Sequence, residues 1–579
     1  MVTLNGVTFL IELPLSIISP TTLVTTTMIA TKFSYSMIAI CQRTFFHGQT
    51  PNNNLLPPTP PKLPLLGHLH LIGSLPHRSL SQLSKKYGPV MLLQLGSVPT
   101  IVISSAAAAR ELFKFHDLAS CSRPLLTGSG RFSYNFVDLN LSSYGERWRE
   151  LRKICMLQLF NARRVQSFQE IREEEVGRLL NSISQSSSSS APIDLSDKSY
   201  SLTANITSRV AFGSIFSGGK LDDEHFQHLM RRAIAATGSF SMTDFFPTFG
   251  WIIDRLNGVH GRLEKSFVVL DAFFQSVVDN RINFKESSKK EENIVDVLLR
   301  MERESSESDA LKVTQDFIKA LIMDIFIAGV ETGATPLVWA LTELVRNPRV
   351  MKKLQHHIRN CIKDNSVKEM DLEKLEYLKM VVKEALRLHP PLPLLLPRET
   401  ISPFKLNEYD MDPKAHLHIN VWAIGRDPQS WTNPEEFLPE RFIGSNIDYK
   451  GQNFELIPFE SGQRICPGMN MATLTVELAV ANLLLCFDWK LADGMKEEDV
   501  DTEEAAGLGA AKKSPLKLIP VPYFYLILSL EFMPPHMELD VAASSNVVPS
   551  QVGLEVGIVV VYVDPIAAVT EWVAEDIGL

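Results

Sequence analysis

Apolar residues recur at helical spacing along most of the chain. Their pattern predicts helices over residues 77–87, 144–158, 163–183, 222–237, 260–283, 314–346, 348–363, 373–388 and 471–487. Two shorter apolar runs, VMLLQLG at 90–96 and TIVIS at 100–104, predict two strands around a tight turn. The balance of these elements favours a mainly α fold with a smaller β-rich subdomain.

The two ends of the chain differ from this helical body. Between Glu12 and Lys32 lie nineteen uncharged residues, about the length that spans a bilayer, although hydroxyl side chains and two prolines dilute them. We therefore predict that residues 1–50 form a degraded, anchor-like segment, which either spans the bilayer or lies at its interface. Prolines make residues 51–67 a stiff hinge before the main domain. The domains we expect are thus 1–50, 51–67, 68–523 and an acidic tail at 524–579.

The charge distribution offers no field that would attract nucleic acid. The formal net charge is −9, but eight acidic and no basic residues follow Tyr523, which leaves about −1 for residues 1–523. The six cysteines are widely spaced, and no close pair suggests a disulfide framework or a structural zinc site. We therefore expect a protein body that faces a reducing, cytosolic environment and does not bind nucleic acid.

One cysteine stands in an unusual local context, PFESGQRICPG at residues 458–468. A lone cysteine is most often an inert small apolar residue, so Cys466 alone predicts little. Here two glycines allow the backbone to turn tightly, Pro467 delays the start of the next helix, and Phe459 offers an apolar shield. Arg464 is close enough to neutralise a carboxylate. The loop is a candidate metal-ligand site.

The spacing F-x-x-G-x-R-x-C-x-G in this loop closely resembles the haem-binding signature of the cytochrome P450 family. The resemblance implies that haem b is the cofactor and that Cys466 is the axial thiolate ligand of its iron. A thiolate in that position pushes electron density onto the metal and favours cleavage of the O–O bond. Phe459 and Arg464 would then contact the cofactor.

Three charged residues form a second element of the same resemblance. Glu384 and Arg387 in KEALRLHPP are three residues apart and share a helix face, and Arg441 lies in FLPERF downstream. An i,i+3 ion pair alone is common and weak on a protein surface. The family's pattern implies a buried structural cluster behind the haem, and breaking it would cost on the order of 3–5 kcal/mol.

The segment AGVET at residues 328–332 lies inside the longest helical pattern. Taken alone, Gly329 suggests a helix-packing contact, and Glu331 with Thr332 a solvated face. The flanking residues are apolar nearly all round, as in a buried helix. The segment resembles the family's oxygen-activation motif, which implies that Thr332 takes part in oxygen activation, that Glu331 helps to deliver protons and that Gly329 adjoins the cofactor. Pro336 lacks the N–H that would bond to residue 332, so we expect the helix to open or kink there.

Two basic faces are predicted for the helix in YGERWRELRKICM. By resemblance, Trp148 and Arg152, four residues apart, reach the haem propionates, as does Arg398 in LLLPRET. Arg149 and Lys153 share another face. That face is either part of a docking surface for an acidic electron donor or simply solvated.

The chain departs from the family pattern at two internal places. Glu460 stands where the family usually has glycine, and we expect its carboxylate, close to a thiolate, to weaken haem loading. Asn407 and Glu408 stand where Asn-Gly is the favoured hairpin pair, so that turn is expected to be strained or longer.

The resemblance also implies where a substrate would bind. The pocket-forming segments are mostly apolar, with Phe132, Tyr134 and Phe136 near the front unless these aromatic residues belong to the core. The segments are 123–137, 239–251, 325–331, 392–396 and 507–510.

These observations favour a haem-thiolate monooxygenase of the plant microsomal branch. Such an enzyme inserts one oxygen atom from O2 into a hydrophobic small molecule of specialised metabolism. It takes electrons from NADPH through a flavoprotein reductase and lies at the endoplasmic reticulum membrane, facing the cytosol. Two alternatives stay open: a haem-thiolate isomerase or dehydratase, and a non-catalytic diverged copy with impaired haem loading.

Overall fold

The structure is a computed structural model that describes residues 55–187, 191–213, 241–283, 292–304, 313–492 and 494–523, together with a short strand pair near the N-terminus. The chain divides into two units, Met1–Phe524 and Tyr525–Leu579, and every described residue belongs to the first. The helix predicted at 222–237, the span expected between Glu12 and Lys32 and the tail at 524–579 lie outside the described residues.

Helices make up most of the described chain. They are α1 (Pro76–Tyr87), α2 (Ala106–Phe115), α3 (Asp117–Ser120), α4 (Thr127–Phe132), α5 (Glu146–Ile154), α6 (Ala162–Ser167), α7 (Gln169–Ser187), α8 (Leu195–Phe212), α9 (Met242–Phe245), α10 (Gly250–Leu256), α11 (Val259–Asn283), α12 (Ile294–Glu304), α13 (Gln315–Arg346), α14 (Pro348–Cys361), α15 (Glu376–Leu388), α16 (Val421–Ile424) and α17 (Met469–Cys486). Short 3-10 turns occupy Leu69–Leu71, Glu369–Lys374, Pro439–Phe442, Gly462–Arg464 and Glu497–Asp499, and a π-helical turn occupies Cys155–Leu159.

The strands form small sheets beside this helical body. They are β1 (Thr3–Leu4), β2 (Val7–Thr8), β3 (Val90–Leu95), β4 (Val98–Ile103), β5 (Ile193–Asp194), β6 (Arg398–Glu399), β7 (Phe404–Leu406), β8 (Tyr409–Met411), β9 (His416–Ile419), β10 (Phe487–Lys490) and β11 (Lys517–Pro522). The largest sheet has the order β3-β4-β9-β6, with β4 and β9 parallel and the other neighbours antiparallel. A second sheet has the order β10-β11-β5, while β1 pairs with β2 and β7 with β8. The mainly α fold with a smaller β-rich part is therefore confirmed.

The tight turn between β3 and β4 follows directly from the sequence. Leu95 pairs with Val98, so only Gly96 and Ser97 form the turn. Gly96 has φ 61°, a left-handed conformation that glycine adopts at little cost. The hairpin of β7 and β8 uses the same two-residue form, with Asn407 and Glu408 at φ 48° and 68°. That turn is tight rather than longer, and Glu408 takes the position where glycine is favoured.

Helix α13 runs through the centre of the helical core. The Thr314 hydroxyl caps its first turn by accepting a hydrogen bond from the Phe317 N–H, and nearly all residues from 333 to 345 are buried. It packs along α8, α15 and α17. Because α13 is apolar on most of its surface, it has to be enclosed by other helices. The helix continues through Pro336 to Arg346, so the expected opening at this proline does not end it.

Two of the described helices, α13 and α17, are long and apolar enough to cross a membrane, but two thirds of the residues in each apolar window are buried inside the fold. Core helices of a large domain have the same composition, so this finding does not locate a membrane anchor.

Candidate cofactor and active site

The cysteine loop is held in a tight conformation by backbone contacts. The Cys466 N–H donates to the Phe459 carbonyl at 2.9 Å, closing the loop around the turn Gly462–Arg464. Gly462 has φ 68°, and a Cβ there would lie about 2.3 Å from the carboxylate of Asp117. The same carboxylate accepts the Gln463 N–H at 2.7 Å. Glycine at 462 is therefore required both by conformation and by the close approach of Asp117.

The Cys466 sulfur lies just before the first turn of α17. Burial raises the pKa of its thiol, and the charge of Glu460 acts in the same direction. Hydrogen bonds from the backbone N–H groups of Gly468 and Met469 and the charge of Arg152 lower this pKa but do not outweigh burial. Amide donors, a helix N-terminus and a nearby cation are the features that stabilise a thiolate. The residue as a whole is only partly buried.

One short segment of α13 is accessible although the helix around it is buried. Ala328 is exposed, and Gly329, Glu331 and Thr332 are partly accessible, whereas Val330 and residues 333–345 are buried. These residues therefore line a cleft. The Thr332 hydroxyl donates to the Ala328 carbonyl within the same helix.

Within this segment of α13, Gly329 and Glu331 contact different parts of the fold. A Cβ at Gly329 would lie 2.8 Å from Thr207 Oγ1 on α8, so close packing of two helices accounts for this glycine. Glu331 lies beside Gly509, since a Cβ built there would be 3.4 Å from Glu331 Oε1. Burial raises the pKa of the Glu331 carboxyl. The contact of Gly329 with a cofactor stays a prediction.

Trp148 and Arg152 on α5 both reach the cysteine loop. The buried Trp148 indole donates from Nε1 to the Leu139 carbonyl at 2.9 Å, and the guanidinium of Arg464 lies over its ring at 4.1 Å. Arg152 donates to the Ile465 carbonyl. The other face of α5 carries Arg149, which is exposed, and Lys153, whose partner Glu150 lies 3.6 Å away at the surface.

Arg464 is buried and bonds to backbone carbonyls. It donates from Nε to the Cys121 carbonyl at 2.8 Å and from Nη2 to the Ser142 carbonyl at 2.7 Å. Burial and then the neighbouring charge of Arg123 lower the pKa of Arg464 to about 9. Phe459, at the start of the loop, is partly buried and packs edge-on against Tyr449 with ring centroids 5.5 Å apart.

Glu460 is buried, and its carboxylate is paired with two arginines. Arg398 donates from Nε to Glu460 Oε1 at 2.6 Å, and Arg123 donates from Nη2 to Oε2 at 3.0 Å. Burial alone would raise the pKa of this carboxyl, but the two guanidinium groups outweigh it and lower the pKa. The residue has φ 65°, where glycine would be unstrained. The negative charge of Glu460 is thus paired with Arg123 and Arg398, while together with burial it also raises the pKa of the Cys466 thiol, as we expected of a carboxylate close to it.

The charged cluster of α15 forms as three residues in contact. Glu384 is fully buried and accepts from Arg387 Nε and Nη2, both at 2.8 Å, and from Arg441 Nε at 2.9 Å. The Leu438 N–H donates to the same carboxylate at 2.8 Å. All four hydrogen bonds converge on one side chain, which fixes the loop before Arg441 against α15.

A pair of buried carboxyl groups, Asp138 and Asp324, was missed by the sequence analysis. Asp324 Oδ2 accepts from the N–H groups of Leu139 at 2.8 Å and Asn140 at 3.2 Å. Burial raises the pKa of Asp324 to about 6; burial and then the charge of Asp324 raise the pKa of Asp138. The available signal was an aspartate inside the apolar run KALIMDIFIAG. The pair joins the loop before α5 to α13.

Within the described part of the chain, no three His, Cys, Asp or Glu side chains form a group that could hold a metal ion. A metal carried by its own organic ligand and bound through one cysteine does not need such a group.

Comparisons with known proteins identify the family. The cytochrome P450 family model matches residues 57–519. Cytochrome P450 71B36 of Arabidopsis thaliana is 49% identical over 83% of this chain and 96% of its own length. Cytochrome P450 71B26 of the same plant is 51% identical over 80% of this chain and 93% of its own length. A solved zebrafish cytochrome P450 with abiraterone has a TM-score of 0.65 at 23% identity, covering 78% of this chain and 100% of that one. The chain therefore belongs to the cytochrome P450 family and is a cytochrome P450 monooxygenase of the plant type.

Proposed function

We propose that this monooxygenase uses haem b bound through Cys466 to oxidise a hydrophobic small molecule of plant specialised metabolism. The observation that carries the proposal is the position of the Cys466 sulfur at the start of α17, beside two backbone N–H groups and Arg152. These groups oppose the burial that raises the pKa of the thiol, and a bound metal cation would favour the thiolate further. This donor set fits haem, because a thiolate is a known axial ligand of haem iron and Cys466 is only partly buried by the protein itself.

Several residues of the described chain would hold the cofactor. Cys466 would bind the iron, and the cationic side chains of Arg152, Arg398 and Arg464 lie around the same loop, as does the indole of Trp148. When bound, the haem supplies the activation of O2. Arg464 bonds to carbonyl groups on either side of the 123–137 segment, so the cysteine loop and a predicted substrate-binding loop are held together.

Glu331 and Thr332 are the proposed catalytic residues of the chain. Both are accessible from the cleft on α13. The Thr332 hydroxyl donates its proton to the Ala328 carbonyl, so its oxygen can accept a hydrogen bond at the cleft, and it can donate there only by releasing that carbonyl. The raised pKa of Glu331 lets its carboxyl keep a proton to higher pH than an exposed glutamate would. Together they are suited to hold and pass protons where oxygen is activated.

The expected substrate site draws on apolar segments next to this cleft. Glu331 and the loop containing Gly509 are neighbours, which brings the 325–331 and 507–510 segments together. Of the three aromatic residues expected at the front, Phe132 is buried against Phe267 and belongs to the core. Tyr134 and Phe136 are partly accessible. An apolar pocket with few polar groups selects its ligand mainly by shape.

Electrons would come from NADPH through a flavoprotein reductase. The exposed side chains of Arg149 and Lys153 on α5 provide positive charge on the face opposite Trp148, which suits an acidic donor domain. We place the enzyme at the endoplasmic reticulum membrane with its catalytic domain in the cytosol.

The carbon monoxide difference spectrum of the reduced, membrane-expressed protein tests the haem-thiolate site. We expect a strongly red-shifted Soret band for the parent and its loss in Cys466→Ala. Cys486→Ala is the matched control, since Cys486 is also partly buried but ends α17 rather than preceding it. A band that survives in Cys466→Ala, or that is absent from the parent, would contradict the proposal.

Turnover would then separate a monooxygenase from an isomerase or dehydratase built on the same cofactor. A monooxygenase consumes NADPH in the presence of purified reductase and a substrate, with one oxygen atom from labelled O2 in the product. An isomerase converts its substrate without either. A parent protein without haem would favour the non-catalytic alternative.

A further inference from the structure

Buried charges of both signs meet next to the cysteine loop. The side chains of Arg123, Arg398 and Arg464 are all buried there, and the carboxylates of Glu460 and Asp117 face them. Arg398 is in contact with both carboxylates: its Nη1 donates to Asp117 Oδ1 at 2.7 Å, and its Nε donates to Glu460 Oε1 at 2.6 Å. Two of the guanidinium groups, those of Arg123 and Arg398, pair with the two carboxylates, while Arg464 bonds to backbone carbonyls. The cluster therefore carries one excess positive charge.

This cluster is the place where charged groups of a bound haem would find partners. A buried carboxylate is costly unless it is paired and hydrogen-bonded. Arg398 Nη2 donates to the Ser461 carbonyl at 3.0 Å, and Arg464 is two residues before Cys466. The two carboxylates of a haem bound through Cys466 would need charge-assisted donors of the kind that these buried arginines offer.

Glu460 already uses the donors that a propionate would need. Each of its two oxygens accepts a hydrogen bond, one from Arg398 and the other from Arg123. A single carboxylate thus bridges two guanidinium groups that come from distant parts of the chain. A propionate is also a carboxylate and prefers the same charge-assisted donors. The left-handed φ of 65° at Glu460 shows that the chain adopts a conformation unfavourable to a non-glycine residue while making these bonds.

We propose that Glu460 is an internal competitor of a haem propionate for Arg123 and Arg398. The inference rests on the proposed function and deepens it, because it concerns how this chain binds its cofactor. In the protein without haem, Glu460 neutralises two buried arginines. To bind, a haem would have to displace the Glu460 carboxylate from the arginines, or one of its propionates would remain without an arginine partner. Glu460 thus stabilises the haem-free fold and weakens haem binding.

The same contacts indicate that the fold tolerates the loss of Glu460. Arg398 would keep Asp117 and the Ser461 carbonyl. Arg123 would keep three carbonyl acceptors, those of Asn140, Leu396 and Pro397, at 2.9–3.2 Å. Each arginine therefore retains hydrogen-bond partners while losing a counter-ion.

The test is a titration of the full-length, detergent-solubilised chain, prepared without haem, followed by quenching of tryptophan fluorescence. The proteins are the parent, Glu460→Gly and Glu460→Gln. Glycine suits the left-handed backbone, while glutamine keeps the side-chain size and removes only the charge. Each is titrated with haem and with haem dimethyl ester, whose carboxylates are masked.

We expect both variants to bind haem on the order of tenfold more tightly than the parent, about the effect of one regained hydrogen bond to a charged group. Binding of the dimethyl ester should be nearly equal in all three proteins. The haem-free variants should also melt at lower temperature than the haem-free parent, because Arg123 has lost its counter-ion.

Glu504→Gln is the matched control. The buried Glu504 carboxylate bonds to the guanidinium of Arg78 and the imidazole of His77. None of these three residues belongs to the cysteine loop. Its loss should lower the melting temperature without changing haem affinity.

Equal or weaker haem binding by both Glu460 variants, with the parent binding haem, would overturn the inference alone and would mean that Glu460 positions the arginines. A gain for the dimethyl ester as large as that for haem would also overturn it, because competition for the arginines requires a free carboxylate. Failure of all the proteins to bind haem would overturn the proposed function and the inference with it.

Discussion

Replacing Glu384 by glutamine should destabilise the fold through one buried cluster. Glu384 is fully buried and accepts three hydrogen bonds from Arg387 and Arg441 and one from the Leu438 N–H. Glutamine has nearly the same shape but carries no charge and has only one acceptor oxygen. Arg387, which is fully buried, would then lack a counter-ion while keeping only carbonyl partners.

The expected loss follows from that geometry. Removing one partner of a buried ion pair costs on the order of 3–5 kcal/mol, since the remaining charge stays desolvated. The entropy of unfolding is about 2 cal/mol/K per residue near 60 °C, so 1 kcal/mol corresponds to about 1 °C in a domain of this size. We therefore expect Glu384→Gln to lower the melting temperature by about 3–5 °C and to reduce the yield of folded protein.

Intrinsic fluorescence of the solubilised protein, heated at one fixed scan rate, measures this change. Glu503→Gln is the matched control, because the Glu503 carboxylate and its partner Lys513 are both largely exposed. Its loss should hardly change the melting temperature. The reasoning fails if Glu384→Gln melts within about 1 °C of the parent, or if Glu503→Gln is equally destabilised.

Two further predictions concern catalysis and pH. Thr332→Ala removes the cleft hydroxyl, so we expect the amount of product formed per NADPH to fall by about tenfold or more while NADPH consumption continues. Thr335→Ala is the control, since Thr335 is buried and its hydroxyl donates to the Glu331 carbonyl at 2.8 Å. An equal amount of product per NADPH in the two variants would argue against the role of Thr332. Burial alone would raise the pKa of Glu504, but hydrogen bonds from His77 and Arg78 hold it at about 2. Because this folded-state pKa is depressed, the carboxylate contributes about 3 kcal/mol above its ordinary pKa of 4.5, and the contribution disappears as the pH falls towards 2. The melting-temperature difference between parent and Glu504→Gln should therefore be largest near pH 7 and shrink below pH 4.5; a difference independent of pH would refute this account.

The cysteine loop and the long helix could be located from the sequence because their signals are local. The glycine spacing around Cys466 and the unbroken apolar pattern of 314–346 depend on residues within a few turns of each other. The structure places a helix at Gln315–Arg346 and a tight turn just before Cys466. Helix ends were less predictable: the pattern at 163–183 is divided into α6 and α7 at Phe168, where tertiary packing overrides periodicity.

Glu460 shows the limit of local interpretation. The sequence reveals a carboxylate near the cysteine, and we expected its charge to act on the thiolate. In the fold that charge, together with burial, does raise the pKa of the Cys466 thiol, but the carboxylate also bonds to Arg398 and to Arg123, which is 337 residues earlier in the chain and could not be foreseen. The same holds for Asp324, whose unusual position in an apolar run was visible, but whose neighbour Asp138 was not.

The order and spacing of residues along this chain thus specify the family, the mainly helical architecture and the cysteine that is suited to bind iron, because these depend on short-range geometry and apolar periodicity. The partner of each buried charge is decided only by packing, which brings distant segments together and excludes water from between them. A charged side chain several bonds long can turn towards any neighbour within reach. Its partner is therefore fixed when the surrounding helices and loops leave it a single way to be neutralised.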